Sequence, residues 1–251
     1  MSYEAAGSAV QAGSTAPRRR RHPLMLALAA VCFLVVAAAA GLVALHDATR
    51  GPTATERAAA AARAVASRWR DWPAGRIFPP RLRYSTDLLT RETADRMGIG
   101  RSDDCRSALV PDLGRVAESA GCVAGLRASY ADQLRGIVYT VGLLAFPDAR
   151  HAAVFLTRWH SASSPMPLRA LAFARTASGR FDDAARQVTK ARRAGPYIVL
   201  ATAGYADGRA AGRDGERRSS IFAPAAQLAA EILGPLARPA TADCTDRSSA
   251  C

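Results

Sequence analysis

The chain has 251 residues and a formal net charge of +13, which leaves room for a membrane segment and one ordinary domain and makes two full domains cramped. Setting aside Arg18, Arg19, Arg20, Arg21 and Glu4 leaves 30 basic and 20 acidic residues beyond position 46, a net +10. Such a charge favours anionic surfaces without choosing among them. Lys190 is the only lysine and asparagine is absent, so the arginine content reads as the coding bias of a GC-rich genome and a solvated basic face is its default meaning. Aromatic residues make up only 6%, too few to interleave with a basic patch, and no nucleic-acid partner is expected.

Residues 1–22 carry too little apolar bulk to offset the entropy of ordering and read as a disordered basic tail. From Leu24 to Leu45 the stretch LMLALAAVCFLVVAAAAGLVAL holds 22 uncharged residues, which as a helix reach about 33 Å and match a hydrocarbon core. A transmembrane helix over 23–46 follows, with the lipid bilayer as its partner through residues 24–45. Four arginines precede the span and only His46, Asp47 and Arg50 lie just beyond it, so the positive-inside rule puts the N-terminus in the cytoplasm and the rest outside. The competing reading is a signal peptide cleaved near Ala38-Ala39-Ala40, giving a secreted protein, although the apolar run is long for that role. Cys32 lies mid-span and reads as a small buried hydrophobe.

Thr53-x-x-Glu56 is a capping box that opens an alanine-rich juxtamembrane helix within 47–73. Val65, Trp69 and Trp72 form one stripe of it, able to dock on the following domain, and Pro73 stops it. An extracytoplasmic domain is expected over 74–240. Residues 82–85 predict a short strand, and 90–97 a helix closed by Gly98. Asp104 caps a helical turn at Cys105, and helix resumes over 112–120 until Gly121. Strands at 122–130 and 137–146 suit a hairpin. Asp148 then caps an amphipathic helix with Ala152, Phe155, Leu156 and Trp159 on its apolar face. Residues 168–175 predict a strand, 182–193 a charged helix, 196–205 (PYIVLATAGY) a buried strand and 224–236 a last helix. Between the last two, Ala206-Asp207-Gly208-Arg209 has turn chemistry and GRAAGRDGERR reads as a mobile basic loop. The order predicts an α+β fold in which helices cover one face of a mostly antiparallel sheet, with a ferredoxin-like sandwich as the architecture. Tyr130-Ala131-Asp132 and Tyr205-Ala206-Asp207 each close a strand, a recurrence short enough for chance.

Four cysteines lie beyond the span, an even number suited to two disulfides in an oxidising compartment. The expected pairing is Cys105 with Cys122 and Cys244 with Cys251, the second forming a tail over 241–251. The alternative is a tail cysteine that reaches back to the domain. There is no CxxC, and neither His151 nor His160 lies near a cysteine, so neither metal nor other cofactor is expected.

No HExxH, GxSxG, P-loop or dinucleotide-binding fingerprint occurs. Ser119-Ala120-Gly121-Cys122-Val123 resembles in part the active-site stretch of L,D-transpeptidases. Ala120 stands where that family has histidine, Ala124 where it has arginine, and no histidine lies between His46 and His151 to serve as an upstream base. Cys122 is therefore read as a disulfide half. His151 and His160 fall on opposite faces of one helix, and Asp103 and Asp104, like Asp182 and Asp183, read as helix starts. Gly195-Pro196-Tyr197 through Gly204-Tyr205-Ala206-Asp207-Gly208-Arg209, with Gly98-Ile99-Gly100, Cys105, Cys122 and LRASY at 126–130, resembles uncharacterised membrane-anchored or secreted proteins of actinobacteria. That resemblance implies a compartment and a fold and supplies no catalytic residue. The expectation is an anchored, non-enzymatic module that binds a protein or an anionic envelope component, with Arg209, Arg213, Arg217 and Arg218 as the anionic contact. A cell-envelope hydrolase or transferase with a dispersed site is the alternative, and it would need a pocket holding two or more titratable groups.

Overall fold

The computed structural model of the chain describes residues 22–86, 90–101, 103–161, 166–210 and 220–241. The chain divides into two compact units, Met1–Gly51 and Pro52–Cys251. The described part of the first is α1 (His22–Thr49). Within it Leu24–Asp47 is long and apolar enough to cross a membrane, a test that a signal sequence also passes. Its large apolar side chains, such as Leu24, Leu28 and Phe33, stand exposed. Cys32 lies within this helix as a free thiol.

The second unit begins with α2 (Ala54–Asp71), opened by the capping box: Glu56 N–H donates to Thr53 Oγ1 and Thr53 N–H donates to Glu56 Oε2. After the single turn α3 (Ala74–Ile77) come β1 (Arg81–Ser85) and β2 (Arg91–Ile99). Helices α4 (Cys105–Ala108) and α5 (Pro111–Ser119) follow, the first capped by Asp104 and the second ended at Gly121 with φ +82°. Next are β3 (Ala124–Asp132), β4 (Ile137–Ala145), α6 (Ala149–Ser161), β5 (Arg186–Ala194), β6 (Tyr197–Tyr205) and α7 (Pro224–Ala237).

The strands form one six-stranded sheet in the order β1-β2-β3-β4-β6-β5, every neighbour antiparallel. Flat, it would separate its edges by about 24 Å, beyond the reach of one helix about 10 Å across. Helix α7 nevertheless touches β1 at one edge and β5 and β6 at the other, so the sheet curls around it as a half-barrel. Tyr197, Val199, Ala201 and Ala203 of β6 face α7 and α2 in the larger core, while Ile198 and Leu200 face α4, α5 and α6 in a second. A strand buried on both faces reads as a continuous apolar run, which is why β6 was the clearest strand in the sequence.

Helices thus cover both faces of the sheet rather than one. The order does not reproduce the βαββαβ connection of a ferredoxin-like sandwich. Where a helix over 90–97 was expected, residues 91–97 belong to β2: their backbone groups pair with β1 and β3, and Gly98 sits at a register shift instead of capping. Residues 182–193 are likewise mostly β5. Helix-forming residues there were misleading because charge is also what an edge strand needs against further pairing; Lys190, Arg192 and Arg193 are exposed on it. Residues 168–175 form a strap, not a strand. Leu171 N–H donates to Thr140 Oγ1 at 2.9 Å and Ser129 Oγ to the Leu171 carbonyl, so side chains take the place of a ladder. Arg186 holds the same strap, donating to the carbonyls of Met166 and Leu168 at 2.7 and 2.8 Å.

Candidate functional site

Where α7 begins, the half-barrel leaves a cleft of about 300 Å³ between the helix and the strand ends. Tyr84 and Glu92 are opposite partners across β1 and β2, and Tyr139 of β4 shares the α7-facing side of the sheet with Tyr84. Tyr84 Oη donates to Glu92 Oε2 at 2.7 Å, and the rings of Tyr84 and Tyr139 lie 6.5 Å apart at 54°. Asp132 ends β3, and its Oδ1 accepts from Ile137 N–H at 3.0 Å, fixing the turn into β4. Tyr139 is 1% exposed and lines the cleft. Among the described residues nothing takes or gives a hydrogen bond at its hydroxyl. Burial raises the Tyr139 phenol, and the charges of Tyr84, Asp132 and Glu92 raise it further. Tyr84 is raised by burial and by Glu92. Both phenols therefore keep their protons at any physiological pH. An adjoining compartment of about 440 Å³ shares Tyr84 and Glu92 and opens toward Arg83, Arg91 and Glu231.

Among the described residues, the charged side chains that line the inner cleft are Glu92 and Asp132. Ionised carboxylates only accept hydrogen bonds, and a phenol offers one donor. A concave acidic site in a basic domain suits a ligand that donates.

A second cleft, about 400 Å³, lies between α5 and α6 and is lined by Ser119, Gly121, Arg150, His151 and Arg158 among others. Asp148 caps α6 through the N–H groups of Arg150 and His151, and its Oδ1 lies 2.9 Å from His151 Nδ1. The His151 N–H and ring hold the Asp148 carboxyl below its usual range. Ser119 Oγ donates to the Val116 carbonyl at 2.9 Å and accepts from Arg158 Nη1 at 3.0 Å. Its proton is thus directed away from His151. Cys122 is bonded to Cys105, which removes it as a thiolate nucleophile. His160 stacks on Trp159 at 5.5 Å. Asp104 caps α4, Asp182 accepts from the N–H groups of Ala184 and Ala185, and Asp183 binds Arg169.

Of the four arginines expected at a basic contact, Arg209 is described. Its Nε lies 2.9 Å from Asp207 Oδ2 and its guanidinium carbon 4.1 Å from the centre of the Tyr205 ring. The Arg209 side chain and N–H hold Asp207 below the usual carboxylate range. Arg213, Arg217, Arg218, Cys244 and Cys251 lie outside the described residues. Sequence reasoning missed Tyr84, Glu92 and Tyr139, because reading 90–97 as a helix moved Glu92 away from Tyr84. Two strands closed by Tyr-Ala-Asp were the available signal: both end beside the start of β4, where Asp132 accepts from Ile137 and Ala206 N–H donates to the Gly136 carbonyl at 2.9 Å. Among the described residues no group of three or more His, Cys, Asp or Glu is placed to hold a metal ion. No protein-family model, curated protein or solved structure matches the chain.

Proposed function

We propose that the protein is a single-pass membrane protein with a cytoplasmic N-terminus, whose outer domain binds an envelope protein or an anionic envelope component and catalyses no reaction. The observation that carries this reading is the charge asymmetry around α1: four arginines before a continuous apolar helix and almost no positive charge just after it. A disulfide in the second unit supports an oxidising compartment for it. The binding role is supported by the commitment of Ser119, Cys122 and Asp148 to structural bonds. A protease added to intact protoplasts is expected to remove the domain beyond α1 and leave a short membrane-embedded fragment. Protection of that domain until the membrane is broken would reverse the topology. A photocrosslinker at Arg209 in native membranes then identifies the neighbour.

A further inference from the structure

We propose that the cleft between Tyr84, Glu92, Asp132 and Tyr139 binds a small hydroxylated amine, with its ammonium on the two carboxylates and a neighbouring oxygen at the Tyr139 hydroxyl. This goes beyond the envelope-binding reading and does not depend on which way the chain crosses the membrane.

Three features of the site converge on that chemistry. First, Glu92 Oε1 and Asp132 Oδ2 receive no bond from any described residue, while their partner oxygens are used by Tyr84 and Ile137. Each carboxylate is thus held in place by one oxygen and presents the other. Two anchored acceptors in one concavity call for a donor that carries positive charge, since charge-assisted hydrogen bonds are about twice as strong as neutral ones. Second, Tyr139 is 1% exposed and lines the cleft, and its hydroxyl, which has no bond to any described residue, opens on the cleft rather than being sealed in the core, where Thr189 Oγ1 is the buried atom without a partner among the described residues. Such a hydroxyl is free to pair with an oxygen of the occupant, beside the ammonium. Third, the tilted rings of Tyr84 and Tyr139 wall the site, and aromatic faces attract cations. The volume of about 300 Å³ is at the small end of ligand sites, which suits a monosaccharide-sized molecule.

The remaining charges sort the ligand rather than oppose it. Arg83 and Arg91 line the outer compartment and not the inner one. Arg83 also has its Nη2 at 3.9 Å from Glu231. With Glu92 and Glu231 beside those two arginines the outer compartment is formally neutral, so among the described residues the net negative charge that draws an ammonium lies in the inner cleft.

The test uses the full chain in detergent micelles and compares glucosamine with glucose, which matches it in size but carries a neutral hydroxyl in place of the ammonium. Ligand-observed saturation-transfer NMR is expected to report glucosamine binding, weakened by salt, with glucose bound at least about tenfold more weakly. Glu92→Gln and Asp132→Asn, which keep shape, should each weaken glucosamine by about tenfold, and Tyr139→Phe by about fivefold. Arg91→Gln should leave binding unchanged or tighten it. Equal binding of glucose and glucosamine by the unmodified chain would overturn the proposal whatever the variants do, as would absence of glucosamine binding. Unaltered binding in Glu92→Gln or Asp132→Asn, at an unchanged unfolding temperature, would do the same. None of these results bears on the protoplast experiment, so the two readings fail separately.

Discussion

Replacing both Cys105 and Cys122 with alanine removes a crosslink that spans 17 residues. In the chain-entropy model a loop of this size restricts the unfolded chain by about 10 cal/mol/K, or about 3 kcal/mol at 298 K. The folded side changes less. The approach of α4 to β3 is kept by Gly125, whose N–H donates to the Asp103 carbonyl at 2.6 Å and where a Cβ would come within 2.7 Å of Cys105 Cα. Cys105 is 4% exposed, so alanine rather than serine avoids burying an unpaired hydroxyl. For a domain near 200 residues each kcal/mol moves the midpoint by about 2–4 °C, so the double variant should melt about 6–12 °C below the oxidised parent. Thermal unfolding of the full chain in detergent, with and without dithiothreitol, measures this. The reduced parent should fall to the value of the variant, and the variant should ignore the reductant. A shift below about 2 °C in both comparisons would refute the entropic account. Thiol labelling of intact cells adds the compartment: a bridge found oxidised in situ accords with an outer domain, whereas two free thiols would contradict it.

Gly204→Ala should destabilise by about 2 kcal/mol or more, because its Cβ would lie 2.2 Å from the Ala185 carbonyl oxygen and 2.7 Å from Phe181 with backbone unable to yield. Gly136→Ala, with nothing within 4 Å, should be neutral or stabilise by about 0.5 kcal/mol in the same melts. Tyr197→Phe removes the hydroxyl that donates to the Val65 carbonyl at 2.6 Å and accepts from Trp69 N–H at 3.3 Å, a loss of about 1 kcal/mol. Burial pushes the Tyr197 phenol up from 10.0 to about 12; this contribution is fully present below pH 10 and lost as pH rises through 12, so the variant should lose less stability than the parent over that window in alkaline denaturation. Arg209 is matched by Asp207, so Arg209→Gln alone should leave retention on anionic vesicles unchanged, and a salt-sensitive loss should appear only when Arg213, Arg217 and Arg218 are also replaced.

The elements legible in the sequence were those whose signal is local or self-contained. The capping box at Thr53, the Asp104 and Asp148 caps, the glycine stop at Gly121 and the doubly buried β6 need only neighbouring residues to be recognised. The two segments misread as helices, β2 and β5, obtain their hydrogen bonds from strands far along the chain, and tertiary pairing overrides a weak propensity. The same limit hid the cleft. Tyr84 and Glu92 are eight residues apart with no helical or alternating pattern to join them, and Tyr139 meets them only once the sheet has curled. The cysteine pair was accessible because loop length and compartment together favour a local bridge, independently of the fold around it.

The position of the cleft follows from a mismatch of lengths. Strands β4 and β6 each have nine residues and extend about 30 Å, whereas the 14 residues of α7 reach about 21 Å. Even laid along the strands, the helix cannot cover their full concave face. Ala225, Leu228, Ala229, Ile232, Leu233 and Leu236 join the core, and a cleft remains at the end where Pro224 begins the helix. Apolar side chains there would be left facing water, and the strand ends instead place Tyr84, Glu92, Asp132 and Tyr139. Tyrosine suits such a boundary because its ring joins the core while its hydroxyl reaches the polar side. The same four residues therefore meet a structural demand and line the cleft with acceptors that no described residue uses. A half-barrel closed on a shorter helix has to end in a polar mouth, and the charge of that mouth is what selects its occupant.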